Sequence, residues 1–458
     1  MRQRMAGIVA LWAVAAVWTG PALAHTAEGA FVLLLPTEVY RAAGVAVVAV
    51  TVLALAILPE RWVGLVFANR PFAGISGQSG QELVSLTSFA LMCGALWIGA
   101  TGPQSPVENL LPLSLYTLGW MLAVALAGIV GNIWHWLNPW VGLWSIAGRP
   151  EPRLALPERW GVWPGTLLFL GFTAFVLADP APEDPDRLAA LLAGYWLIML
   201  ATLFLVGQGG FARIEIGHVV FDALARLSPF KATTPGGIGG PGWRILSGTA
   251  PAGLGAFALT FLAAGSFDGL YGTFWWLGRI GINPLEFPGR TAVIWQTLLG
   301  LAASVVLLWA LFTATVWLGL RLVGDSRRYG MTTGRLALGL LPIAFVYHIA
   351  HYLTSFLVSI QYVARAVGDP FHLGWNVFGL GDVTVSTGLF NSIETVRVIW
   401  LTQAALIVGG HLWSVLLCHR IALDLAGPKA WKLTLPLSIF MILYTFLGLW
   451  LLAAPRGV

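Results

Sequence analysis

Charge is what this sequence has least of. Of its 458 residues only 10% are Asp, Glu, Lys or Arg, whereas 58% are apolar. Soluble domains carry about 25% charged residues, so this chain lacks the surface that would keep it dissolved. That excludes a water-soluble enzyme and a disordered chain alike. Cysteine is equally scarce: Cys93 and Cys418 are too few for a disulfide framework or a zinc ribbon. The seven Met form no cluster that could pass copper(I) along thioethers. The net charge of +5 comes from so few groups that it reads as membrane topology, and no nucleic-acid partner is expected. There is no CxxC pair, no nucleophile triad and no set of desaturase-like histidine boxes. Nor do apolar residues alternate as in a β-barrel strand.

Continuous apolar runs are present instead. Arg2 and Arg4 precede the run Met5 to Trp18, and Pro21 with Ala22-Leu23-Ala24 forms a small-residue cleavage site. The layout is that of a secretory signal peptide over 1–24, whose apolar core of about 14 residues is short for a span. Residues 25–458 then form one integral membrane domain. Ten segments reach spanning length: 40–58, 83–101, 114–135, 160–178, 188–208, 248–266, 291–322, 336–363, 395–419 and 433–454. The expected fold is an all-α polytopic transmembrane bundle of about ten spans. Lys and Arg fix the orientation, because inner loops carry them in excess. Loop 102–113 has none, and loop 179–187 is acidic through Asp179, Glu183, Asp184 and Asp186. Arg149, Arg153 and Arg159, then Arg213, Arg226, Lys231 and Arg244, mark the opposite side. This places both mature ends outside the cytoplasm, which is the periplasmic side in a bacterial inner membrane. The long cytoplasmic connector 209–247 begins like a surface helix. It ends in Thr234-Pro-Gly-Gly-Ile-Gly-Gly-Pro-Gly-Trp243, which reads as a flexible, irregular link.

Polar groups inside the spans carry the functional signal, because lipid penalises them. Of eight histidines, only His348, His351 and His411 lie deep. Bracketing spans eight and nine by Arg335, Arg365, Arg397 and Arg420 puts all three within roughly 5 Å of the midplane. His348, Tyr352, Ser355, Ser359 and Tyr362 share one face of span eight. Gln403, His411, Ser414 and Cys418 form a stripe on span nine, where Gly409 and Gly410 permit close approach. Pro342 is placed to bend span eight. Three chemistries fit the histidines. They could ligate a transition metal (copper, zinc or iron), hold haem b axially, or serve as hydrogen-bonding glue between helices. In the first two, Tyr352, Gln403 and Ser414 support the ligands and the protein serves metal translocation or electron transfer. His25, the expected mature amino terminus, offers an amine and an imidazole suited to copper(II). No carboxylate, lysine or arginine falls within the middle of any of the ten segments, which argues against a carboxylate-driven pump. The alternatives are a permease for a small neutral or weakly charged solute, and a non-catalytic assembly subunit holding a periplasmic or membrane partner.

The loops leaving the membrane add a candidate outer vestibule of Asp268, Glu286, Asp369, His372 and Asp382. Distinctive motifs run through the chain: Asn138-Pro-Trp140; Ser266-Phe-Asp-Gly; Thr273-Phe-Trp-Trp-Leu-Gly; Gly281-Ile-Asn-Pro-Leu-Glu-Phe-Pro-Gly-Arg290; Tyr347-His-Ile-Ala-His-Tyr352; Asp369-Pro-Phe; Gly374-Trp-Asn-Val-Phe-Gly379; and Gly410-His411. In these the chain resembles a family of uncharacterised bacterial polytopic membrane proteins. The resemblance implies an inner-membrane helical protein and names no substrate.

Overall fold

The computed structural model describes residues 32–456 apart from 33, 34, 56, 58, 59, 76, 248, 249, 287, 288 and 326. The expected signal peptide and His25 lie outside the described residues. Helices dominate, as a chain must be built where no water can satisfy its backbone. Twelve of them organise the fold: α1 (Thr37–Leu55), α2 (Gln78–Thr101), α3 (Leu110–Val130), α4 (Trp163–Ala178), α5 (Pro185–Ile214), α6 (Ile216–Ala225), α7 (Leu254–Tyr271), α8 (Ile294–Val323), α9 (Tyr329–Leu338), α10 (Leu341–Gly368), α11 (Ile393–Ala426) and α12 (Ala430–Ala453). Nine stretches among the described residues are long and apolar enough to cross a membrane. The last of them, Ile393–Ala453, contains both α11 and α12.

Local chemistry sets the helix ends. Asp184 accepts from the Arg187 N–H at the start of α5, with Pro185 in the first turn, and Ser392 does the same for Thr395 in α11. Pro342 opens the first turn of α10 instead of bending a longer helix, so the expected eighth span is two helices, α9 and α10. The middle of α3, Ser114–Ala123, is π-helical. α10, α11 and α12 alternate in direction. Gln403 bonds to the Ala350 carbonyl and Ser414 to that of Gly339, while His411 faces Tyr444 and Gly448 meets Ile407. α7 runs in the same direction as α9 and α10, because Gly255 faces Gly334 at one end and Asp268 meets Tyr352 at the other.

α7 and α10 form the centre. In the most apolar window of α7 72% of residues are buried, and 78% in that of α9 and α10, against 11% for α2. Phe257, Phe261, Leu262, Phe312, Leu341 and Leu417 fill the space between the central helices. The peripheral helices turn large apolar residues outward, among them Leu91, Trp97, Trp295, Leu299 and Val306. That is the surface of a protein whose solvent is lipid.

The connector departs from its expected irregularity. Gly236–Gly239 is the central strand (β3) of a small antiparallel sheet, between β1 (Asn69–Phe72) and β2 (Phe230–Lys231). Trp243 explains the glycines: a Cβ on Gly237 or Gly239 would sit 2.8 Å from its indole. Gly237 and Gly239 are bare because the ring lies on their backbone, while the side chain of Ile238 between them is exposed.

Candidate functional site

The motif Tyr347-His-Ile-Ala-His-Tyr352 lies in α10, so His348, His351 and Tyr352 share a face by their spacing of three and four. That face looks at α7. There Asp268 sits in the last turn, its side chain only 15% exposed, with Oδ2 3.1 Å from His351 Nε2. The Tyr352 hydroxyl donates to the same oxygen at 2.6 Å. The Arg456 guanidinium faces the opposite nitrogen of His351, Nδ1, at 3.5 Å. A guanidinium can only donate, so Nδ1 carries the lone pair and Nε2 the hydrogen turned toward the carboxylate. The Tyr347 ring stacks on His351, with centroids 5.8 Å apart.

His348 is held differently. Its Nε2 lies 2.9 Å from the Trp120 carbonyl of α3. Trp120 belongs to the π-helical stretch, where backbone bonding is displaced from the α pattern and a carbonyl is left for a side chain. The indole of Trp120 also meets the His348 ring edge-on at 4.9 Å. These groups line one cavity of about 30 Å³ with Phe169, Phe172 and Phe261 as its walls. It holds about two water molecules. Gln403 bonding to Ala350 puts His351 ten residues inside the start of α11, about 15 Å at helical rise.

The structure changes three expectations. Asp268 belongs to the bundle interior and not to an outer loop, because α7 reaches Tyr271 instead of ending at 266. A carboxylate therefore does lie among the spanning helices. Glu286, Asp369, His372 and Asp382 stay in exposed or half-buried loops with separate partners: Asn283 for Glu286, the Leu373 and Gly374 N–H groups for Asp369, Glu108 for His372, and Asn376 for Asp382. Finally, the three deep histidines are not at one level. Gly410 packs against Val346 and the Pro342 carbonyl, so His411 lies well below His351 along α10. Side-chain interdigitation sets that register, and flanking charges do not report it.

His411 is 1% exposed and lines a second cavity, with its Nδ1 2.8 Å from the Ile407 carbonyl. His351 thus has both nitrogens engaged, by Asp268 and Arg456, while His348 is tied to the Trp120 carbonyl and His411 to that of Ile407. Among the described residues no three of His, Cys, Asp and Glu are arranged to hold a metal ion. A space of about 30 Å³ is also far smaller than a haem. Gln403 and Ser414 bond to backbone carbonyls of α10 and the Gly339 turn before it, and so tie helices together.

Sequence reasoning passed over Trp120, whose carbonyl becomes available only through the π-helix. It also passed over the connector end of the bundle. There Glu215, 2% exposed, accepts from Trp134 Nε1 at 2.9 Å, caps α6 through the Gly217 and His218 N–H groups, and contacts His218 at 3.0 Å. Burial pushes this carboxyl up, but the His218 hydrogen bond and charge, with the two N–H groups, hold it below its ordinary 4.5. Burial, then the nearby His218 charge, lowers His135 from 6.5. The Asn138-Pro-Trp motif belongs here: the Asn138 side chain accepts from the Trp140 N–H and meets His218. No family model, no curated protein and no solved structure matches the chain.

Proposed function

We propose that this protein is a ten-span permease of the bacterial inner membrane, and that Asp268 and His351 bind the proton that drives it. The observation that carries this reading is a carboxylate, an imidazole and a phenol joined at 3.1 and 2.6 Å inside the helical bundle. Ionisable groups are costly there and mark ion and solute pathways. The cargo is a small neutral or weakly charged solute. The aromatic walls of the cavity supply apolar contact, and their faces attract positive charge. In the present form the cavity is water-sized, so the bound solute belongs to a more open state of the same helices.

One feature supports the ten spans and another the orientation. α11 and α12 are 34 and 24 residues long and pack antiparallel within one apolar stretch. With the Lys- and Arg-rich connector inside, the Arg456 end of the bundle, with its half-buried Asp–His pair, opens to the periplasm.

Proteoliposomes carrying the full chain on a solid-supported membrane test the reading. Pulses of small weak bases and neutral polar solutes are applied at fixed pH, followed by pH jumps. The proposal expects at least one solute to evoke a transient current, and Asp268→Asn to abolish both that current and the pH-jump response. Identical pH-jump responses in wild type and Asp268→Asn would overturn it.

A further inference from the structure

A second cavity, of about 10 Å³, lies beside the first and has room for one water molecule. Its polar lining is Ser266 of α7, Tyr347 of α10, His411 of α11 and Tyr444 of α12. Tyr347, His411 and Tyr444 are the titratable groups facing it, and no charged side chain lines it. Hydrogen-bond bookkeeping defines what fits. A carbonyl can only accept, so His411 Nδ1, 2.8 Å from the Ile407 carbonyl, carries the hydrogen. Nε2 is then a bare lone pair, fully buried and without a partner. Ser266 donates its single hydrogen to the Leu262 carbonyl at 2.8 Å, so at 2.6 Å it accepts from the Tyr444 hydroxyl. Tyr444 in turn has only lone pairs left. His411 and Tyr444 therefore both present acceptors, with ring centroids 6.4 Å apart. The occupant must be a hydrogen-bond donor the size of water.

Tyr347 connects this place to the first cavity, since it lines both and stacks on His351. Along α11, His411 lies eight residues beyond Gln403, about 12 Å further toward the connector end. We propose that His411, with one water molecule donating to Nε2, is a second proton station in series with Asp268 and His351. The inference rests on the proton-binding role assigned to that pair. The transfer balances simply. A proton leaves the Asp268–His351 pair for water, and one O–H bond of the cavity water breaks as Nε2–H forms. Water regains its proton from the first site, and in the more open state of the helices the imidazolium gives the Nε2 proton to a water entering from the connector side. No other bond changes.

The test uses the full chain in vesicles with a trapped pH dye, a potassium gradient and valinomycin to drive protons inward, with pH-difference infrared spectra of the same samples. His411→Phe removes the acceptor, and Tyr444→Phe is the milder variant that keeps the ring. Flux falling to that of protein-free vesicles in His411→Phe, and falling in Tyr444→Phe, supports the station if the pH-dependent Asp268 carboxyl band is unchanged. Wild-type flux in both variants would overturn it. A wild type without that band contradicts the role of Asp268 itself. Loss of the band in both variants shows that His411 acts on the fold of the first site and also overturns the station.

Discussion

His351 Nε2 stands 3.1 Å from Asp268 Oδ2, and this contact joins the two most buried helices of the bundle, α10 and α7. Removing one partner leaves the other charged or polar with less compensation, so each single change is costly and the pair is coupled. Asp268→Asn and His351→Gln are each expected to lower unfolding stability, and the double variant by less than their sum. A coupling of about 1–3 kcal/mol is expected for groups in one network. Unfolding in mixed micelles across the four proteins of the cycle measures it.

His348 ties α10 to the π-helical part of α3 through the Trp120 carbonyl. His348→Phe keeps a flat ring and deletes that donor. The change is expected to cost about 1–3 kcal/mol, the penalty for leaving a buried acceptor unmade. Amide exchange should rise within Ser114–Ala123 and stay unchanged in α12.

Adjacent glycines in α11 make a sharper contrast. A Cβ on Gly410 would run into the Val346 side chain and lie 3.1 Å from the Pro342 carbonyl, whereas one on Gly409 would meet nothing within 4 Å. Gly410→Ala should cost about 1–3 kcal/mol by forcing α10 and α11 apart. Gly409→Ala should be neutral or slightly stabilising. Thermal unfolding of the two variants separates them.

At the connector end, acid should loosen the structure. Glu215 is held below 4.5 and His135 below 6.5, so both favour their deprotonated forms in the fold. The stability they contribute is present above those ordinary values and is lost as pH falls through the lowered ones. Loosening should begin below pH 6.5 through His135 and deepen below 4.5 through Glu215. Because Trp134 Nε1 donates to Glu215, amide exchange around Trp134–Leu137 and α6 reports it. Glu215→Gln should remove the deeper phase.

Much of the fold was legible because lipid demands long apolar runs, and nothing else in the sequence produces them. The elements that escaped are those defined by distant partners. Asp268 looked like a loop residue because a charge ends an apolar run, while its stabilising partner Tyr352 stands 84 positions later. Residues 236–239 looked irregular because glycine shows no alternation; their pairing comes from Asn69–Phe72 and their packing from Trp243. The face bearing His348, His351 and Tyr352 followed from helical spacing alone. The separation of His411 from it did not, since helix register depends on contacts such as Gly410 with Val346.

The most direct measurement is the pH-difference infrared spectrum of the full chain in lipid, recorded for wild type and Asp268→Asn. If Asp268 exchanges a proton within the bundle, a protonated-carboxyl C=O band grows on acidification in wild type and is missing from the variant. Identical difference spectra for the two proteins would contradict the account.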